Sequence, residues 1–439
     1  MIKKWFISYS LQGVGLSALM IIVSLFAVTG LNGNVRSATT AAALYSTGTL
    51  LGSLTAGSLL DRRKLYRELV FFGLICGSIA AGIMPFSINL KMYYTVALLF
   101  GFSISMVNPA ITLYFSRHME ENEYRKYINN INLGNSIGIT LGTFIGGFIL
   151  TYLPALQETD RMKIIFLLSS LIFAIGAIIS SEIKINKGKE TARKRKFSIS
   201  VRPVFANMRM IPRNIAFTFD FSSFSSNVKL YLVGIFVAFF GANLFFAPLP
   251  IYLKEYLGIK SGTIFLMYAY ANIAATIAYF FTQWMMKRFR DFSIMRTVLW
   301  IRIFSFFGIV LFGIIHSYEG TLITFVLISF TWPFFYIPAT VQATNLASTE
   351  NKGRILGVFN MVISLAVIIA SFLSGILALK FGYFSVFVIG AGLLLIGERI
   401  THIVANRVPI PEDILKVLEE RKKDKKIVRF KKLIRSGLV

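Results

Sequence analysis

The sequence predicts an all-α integral membrane protein, with twelve transmembrane helices in two six-helix bundles related by a pseudo-two-fold axis. Three observations predict this. About a dozen apolar stretches run to roughly 20 residues, the length a helix needs to cross a bilayer. The 439 residues are 55% hydrophobic and only 15% charged, with a mean hydropathy of +0.68, a combination foreign to soluble domains. The formal charge of +26 gathers in the gaps between these stretches, mainly on one side.

The expected spans are 6–29, 37–60, 68–88, 92–115, 127–153 and 163–182, then 230–253, 262–286, 294–316, 320–345, 355–379 and 383–405. The first span follows Met1 to Trp5 with no small-residue cleavage site, so it reads as a retained span and not a signal peptide. Orientation follows from lysine and arginine. One set of gaps holds Lys3 and Lys4; Arg62, Arg63, Lys64 and Arg67; Arg117, Arg125 and Lys126; Lys287, Arg288 and Arg290; and Lys352 and Arg354. The opposite gaps carry only scattered positives such as Arg36, Lys91, Arg161, Lys254, Lys260 and Lys380. Both termini and the central gap are therefore expected on the cytoplasmic side of the cell (plasma or inner) membrane, which the chain crosses repeatedly.

This divides the chain into an N-terminal bundle (1–182), a basic cytosolic linker (183–229), a C-terminal bundle (230–405) and a basic amphipathic tail (406–439). The linker carries Arg193-Lys194-Arg195-Lys196, and the tail sets Leu415, Leu418 and Phe430 among lysines. Such segments suit an anionic inner leaflet, or serve as solvated pieces that fix orientation. Because the positive charge borders apolar spans, no nucleic acid partner is expected. Cys76 is the only cysteine, which excludes an intrachain disulfide. The three histidines, His118, His316 and His402, are too scattered for a His-rich metal site. No nucleophile–base pair or ligand cluster lies in the spans, so neither an enzyme nor a cofactor or metal is expected.

The halves echo each other. Glu123-Tyr124-Arg125-Lys126 leads into Gly134, Gly138, Gly142, Gly146 and Gly147; Asn351-Lys352-Gly353-Arg354 leads into Gly357, Asn360, Ser371, Ser374 and Gly375. Arg62-Arg63 after the second span answers Lys287-Arg288 after the eighth. Two like-oriented halves related by an axis along the membrane normal are one repeat architecture of secondary transporters.

Gly57-Ser-Leu-Leu-Asp61-Arg62-Arg63 resembles the Gly-x-x-x-Asp-Arg-x-Gly-Arg-Arg signature of the major facilitator superfamily, with Lys64 where the glycine belongs. Gly138-x-x-x-Gly142-Thr143-x-x-Gly146-Gly147 resembles that family's antiporter motif, with Thr143 in place of proline. Pro248-Leu-Pro250 and Lys352-Gly353-Arg354 resemble its seam between helices 7 and 8 and its entry to helix 11. The resemblance covers nearly the whole chain. It implies an alternating-access transporter of small organic molecules, monomeric, with a cavity between the halves. The antiporter-like glycines imply efflux of amphipathic, drug-like compounds. A permease or facilitator for a neutral metabolite or sugar is the alternative, and a lipid translocase or non-transporting receptor the reading from another class. The arginine that many family exporters carry four residues before a helix 4 glycine is Ala97 here, four before Gly101. No acid lies deep in the first six spans, so proton or cation coupling stays open.

The resemblance also assigns sites. Asp61 would meet the start of helix 11 near Arg354, with Arg62, Arg117 and Arg125 close by, as a cytosolic gate; an acid at a helix N-terminus is favourable. Gln12, Asn108, Asn243 and Gln342 fall on the cavity-lining helices, with Asn272 and Asn360 on the flanking ones. Tyr268, Trp332 and Tyr336 add aromatic surface, and an aromatic wall with few charges suits a neutral or amphipathic substrate. Arg302, deep in the ninth span, is either an anion or substrate contact or a structural arginine. Glu398 and His402 form either a titrating pair or a snorkelled interfacial cluster. Gly138, Gly142, Gly146 and Gly147 read as a close-packing seam.

Overall fold

The computed structural model describes residues 2–63, 65–118, 121–153, 155–182, 224–346 and 352–408, with the backbone alone at 2–3, 58, 61–63, 116–118, 121–130 and 352–354. The linker at 183–229 and the tail at 406–439 therefore lie largely outside the described residues. The chain runs as α1 (Ile2–Thr29), α2 (Val35–Arg63), α3 (Tyr66–Ile83), α4 (Leu90–Ile104), α5 (Val107–His118), α6 (Glu121–Tyr152) and α7 (Glu158–Ser181). It continues as α8 (Ser226–Phe246), α9 (Ser261–Met286), α10 (Asp291–Ile314), α11 (Tyr318–Phe330), α12 (Trp332–Asn345) and α13 (Lys352–Arg407). Asn89, Ser225 and Ser317 cap α4, α8 and α11 by accepting from backbone N–H groups, which satisfies donors that a helix start would otherwise leave open.

Ten segments are long and apolar enough to cross a membrane. The last of them is two helices, because Gly382 at φ 77° breaks α13 between the spans expected at 355–379 and 383–405; a left-handed φ costs glycine little. With that division, and with the 29-residue but less apolar α2, the helices are consistent with twelve crossings. Three crossings are themselves broken. Pro109, Pro248 and Pro333 follow the ends of α4, α8 and α11 by a few residues, since a proline ring clashes with the carbonyl four residues back. Beyond Pro248, Leu249–Ile251 runs on into a π turn at Tyr252–Tyr256.

Helices α1 to α7 pack mainly on one another, as do α8 to α13. The two groups meet where α6 packs on α9 and α2 on the first arm of α13. Each group encloses aromatic layers, such as Trp5 stacked on Tyr114 and Phe245 on Phe306. The outer faces stay apolar: Phe148, Phe280, Phe304 and Ile323 are each over 60% exposed, a surface that requires lipid instead of water. The face where α1 begins and α13 ends is called the terminal face, and its opposite the distal face.

Candidate functional site

Between the two groups, towards the distal face, lies a cavity of about 450 Å³. One wall comes from α1, α2, α4 and α6, and the other from α8, α9 and the first arm of α13. Twelve of its twenty lining residues are apolar, and none is Asp, Glu, Lys, Arg or His. The polar groups are Asn243, Asn272, Tyr45, Tyr268 and four serines, among them Ser371. Asn243 donates to the Phe239 carbonyl at 2.9 Å, which anchors its amide at the wall. Asn272 Nδ2 donates to Thr143 Oγ1 at 3.1 Å, a bond that crosses between the two groups. The threonine that stands in place of the motif's proline is thus a polar partner at the cavity.

Asn243, Tyr268 and Asn272 are the sequence-expected candidates that line the cavity. Gln12 is instead buried, donating to the Ile104 carbonyl at 3.1 Å. Gln342 is buried and donates to Asp291 Oδ2 at 2.8 Å. Asn108 and Asn360 are exposed and do not line it. Trp332 and Tyr336 stack on each other with centroids 5.5 Å apart, and the Arg302 guanidinium lies 5.3 Å from the Trp332 ring centre. Arg302 Nε donates to Thr331 Oγ1 at 3.1 Å and Nη2 to the Ile328 carbonyl at 3.3 Å. The break between α11 and α12 thus supplies acceptors for a buried cation, the arrangement of a structural arginine. Glu398 is fully buried and faces Arg296, 3.0 Å away, and Arg399, 3.7 Å away; no bond joins it to His402.

The small residues hold helices close. A Cβ on Gly138 would stand 2.2 Å from the Ser10 carbonyl oxygen, and one on Gly142 2.0 Å from that of Val14. Gly146 and Gly147 face Phe265 and Leu266 of α9. A second seam went unread in the sequence: Gly48 and Gly52 of α2 and Gly101 of α4 interleave with one another's backbones. The side chains of Asp61, Arg62, Arg117, Arg125 and Arg354 lie outside the described residues.

Sequence reading also missed a polar cluster that closes the cavity on its distal side. Lys254 Nζ donates to Glu158 Oε1 at 2.6 Å, to Thr29 Oγ1 at 2.7 Å and to Ser261 Oγ at 3.2 Å. Ser261 in turn donates to Glu158. Thr29 and Glu158 belong to the first group of helices, Lys254 and Ser261 to the second. Nearby, Gly262 packs on Thr151 and Gly375 on Thr39. Towards the terminal face, a Cβ on Gly57 or Gly357 would meet no described atom within 4 Å. An acid at the head of the sixth span and a lysine just past the proline-rich seam were the available signals. Among the described residues, no three of His, Cys, Asp and Glu come together as a metal site.

Solved transporters share this architecture. The nucleoside transporter NupG superposes with a TM-score of 0.67 at 13% identity, over 92% of this chain and 98% of that one. A D-xylose-proton symporter gives 0.69 at 12%, over 91% and 96%. The peptide transporter POT in complex with sulfate gives 0.71 at 12%, over 92% and 94%. At such identities the likeness is one of fold. A sequence comparison with curated proteins finds no match. The family model described as Major Facilitator Superfamily matches residues 5–371, and the chain belongs to that superfamily.

Proposed function

We propose that the protein moves a small, uncharged, amphipathic organic molecule by alternating access, in the outward direction. The observation that carries this is the charge-free cavity between the two groups of helices. Its volume of about 450 Å³ falls within the roughly 300–1,000 Å³ of small-molecule sites. Its apolar wall favours the body of an amphipathic compound, and Asn243, Asn272, Tyr45 and Tyr268 offer hydrogen bonds for its polar end. An ionic substrate would enter with no counter-charge among the lining residues, at a cost in desolvation.

The orientation proposed places both chain ends in the cytosol, so the terminal face is cytosolic and the distal face external. The cytosolic gaps rich in lysine and arginine support it. In that frame the Lys254 cluster closes the cavity to the outside, the state in which an exporter would load from the cytosol. The gate at Asp61, Arg62, Arg117, Arg125 and Arg354 would close the cytosolic side in the opposite state. The outward direction draws on the antiporter-like run Gly138 to Gly147. The two amides favour a second reading, a permease for a neutral metabolite, in keeping with the nucleoside transporter and the D-xylose-proton symporter that share the fold.

Ligand-induced thermal stabilisation of the purified chain tests this. Neutral amphipathic compounds should raise the melting temperature, and Asn272→Ala should remove most of that shift. Stabilisation by sugars or nucleosides alone would select the second reading. Stabilisation by strongly ionic compounds alone would overturn both.

A further inference from the structure

We infer that the terminal face carries a binding site for the phosphate headgroup of an anionic phospholipid, set between the start of α10 and the end of α13. It is separate from the central cavity and does not depend on what that cavity carries. A small cavity of about 80 Å³ opens there. Arg290, Ser293 and Arg296 line it from the α10 side, and Thr401, His402 and Asn406 from α13.

The site is built and not merely charged. Arg290 Nη2 donates to the Ala405 carbonyl at 2.5 Å and the Val408 carbonyl at 2.7 Å. These bonds cap the end of α13 and hold the guanidinium beside the pocket. Arg296 and Arg399 flank Glu398, the one carboxylate they pair with. Asp291, at the head of α10, accepts from Gln342. Among the described residues, three arginines at this end (Arg290, Arg296 and Arg399) stand against two carboxylates, Glu398 and Asp291, so the balance is positive. Guanidinium forks with hydroxyl and amide donors between them are the groups that recognise phosphate oxygens.

The surroundings identify the source of the phosphate. The pocket lies where α10 and α13 pack on each other. On α10, Ser293 and Arg296 continue away from the terminal face into Phe304, Phe307 and Leu311, which are 68%, 46% and 57% exposed. On α13, Arg399 continues into Ile396 and Ile389, 50% and 42% exposed. The two helices are thus basic beside the pocket and apolar beyond it. Trp284 sits near the end of α9 with the Arg288 guanidinium 4.4 Å from its ring centre, an interfacial anchor. A lipid would use both parts, with phosphate in the pocket and acyl chain on the exposed phenylalanines. A free anion would use the pocket alone. Basic pockets between membrane helices are known to take such headgroups.

Native mass spectrometry of the full chain, purified in micelles containing equal phosphatidylglycerol and phosphatidylcholine, provides the test. Wild-type protein should retain phosphatidylglycerol in preference. Arg296→Gln combined with His402→Asn should lower that retention about fivefold, the effect of one basic contact near an anionic headgroup, and Arg296→Lys should keep most of it. Arg399→Gln, at an exposed position that packing does not depend on, should lower it roughly twofold. Equal retention of the two lipids by the wild type would overturn the assignment, as would unchanged retention in the Arg399→Gln variant and the double variant. Added inorganic phosphate should leave the retained lipid in place; its displacement by phosphate would reassign the pocket to a small soluble anion and refute the lipid site.

Discussion

Replacing Lys254 with methionine should release the distal side of the cavity. The ammonium makes three hydrogen bonds, two of which, to Thr29 and Glu158, cross between the helix groups. The side chains of Lys254 and Glu158 are 21% and 35% exposed. A fully buried charged hydrogen bond would be worth about 1.5–3 kcal/mol, but partial solvation brings this ion pair nearer to about 1 kcal/mol. The bond to Thr29 adds about 0.5–1 kcal/mol. The sum, about 1.5–2 kcal/mol, corresponds to a roughly 10- to 30-fold shift in the ratio of distally closed to distally open molecules. Spin labels at Ile88→Cys and Ile315→Cys, in a Cys76→Ser background, read the distance between the groups at the distal face. Those positions are 87% and 61% exposed, so the labels should not disturb packing. Double electron–electron resonance should show a longer distance gaining population in Lys254→Met and in Glu158→Gln. Combining the two should add little, because each removes the same contact. Distance distributions unchanged in both variants would refute the latch.

Gly142→Ala should lower the melting temperature by an amount equivalent to about 1–3 kcal/mol of overpacking, because its Cβ would meet a backbone oxygen at 2.0 Å. Gly147→Ala, whose nearest neighbours are side-chain atoms at 3.3 Å, should be nearly neutral in the same melt. Arg302→Lys should cost about 1–2 kcal/mol of stability, since an ammonium cannot reproduce the fork to Thr331 and Ile328. It should leave substrate affinity unchanged in a binding titration; a loss of affinity with stability intact would return Arg302 to the transport path. Asp61→Asn should weaken the proposed cytosolic gate and further populate the distally closed state, seen as unchanged distal and longer terminal-face distances.

The positions of the helices were legible because apolar length alone decides which segments cross a bilayer. Their breaks were less so: Pro109, Pro248 and Pro333 mark them, but hydropathy averages across a kink. Among the candidate site residues, Asn243, Tyr268 and Asn272 reach the cavity, whereas Gln12 and Gln342 do not. The reason is that an amide buried in a membrane bundle needs a partner whether or not it serves a ligand, and Ile104 and Asp291 supply those partners. Helix number could not separate the two cases; the facing direction on each helix does. The Lys254–Glu158 pair was invisible because each residue sits at a span end, where a charge is ordinary, and only tertiary packing brings the start of α7 against the turn before α9. The glycine seam at Gly48, Gly52 and Gly101 had the four-residue spacing of a close contact, and that signal went unused.

The central claim is that the charge-free cavity between the helix groups is the path of a neutral organic molecule. Flux of a stabilising neutral amphipathic compound across liposomes containing the purified chain tests it most directly. Saturable flux above that of protein-free liposomes is predicted, slowed about tenfold or more in a folded Asn243→Ala, Asn272→Ala double variant through the loss of two hydrogen bonds of about 1 kcal/mol each. Flux no faster than in protein-free liposomes, or undiminished in the double variant, would contradict the account.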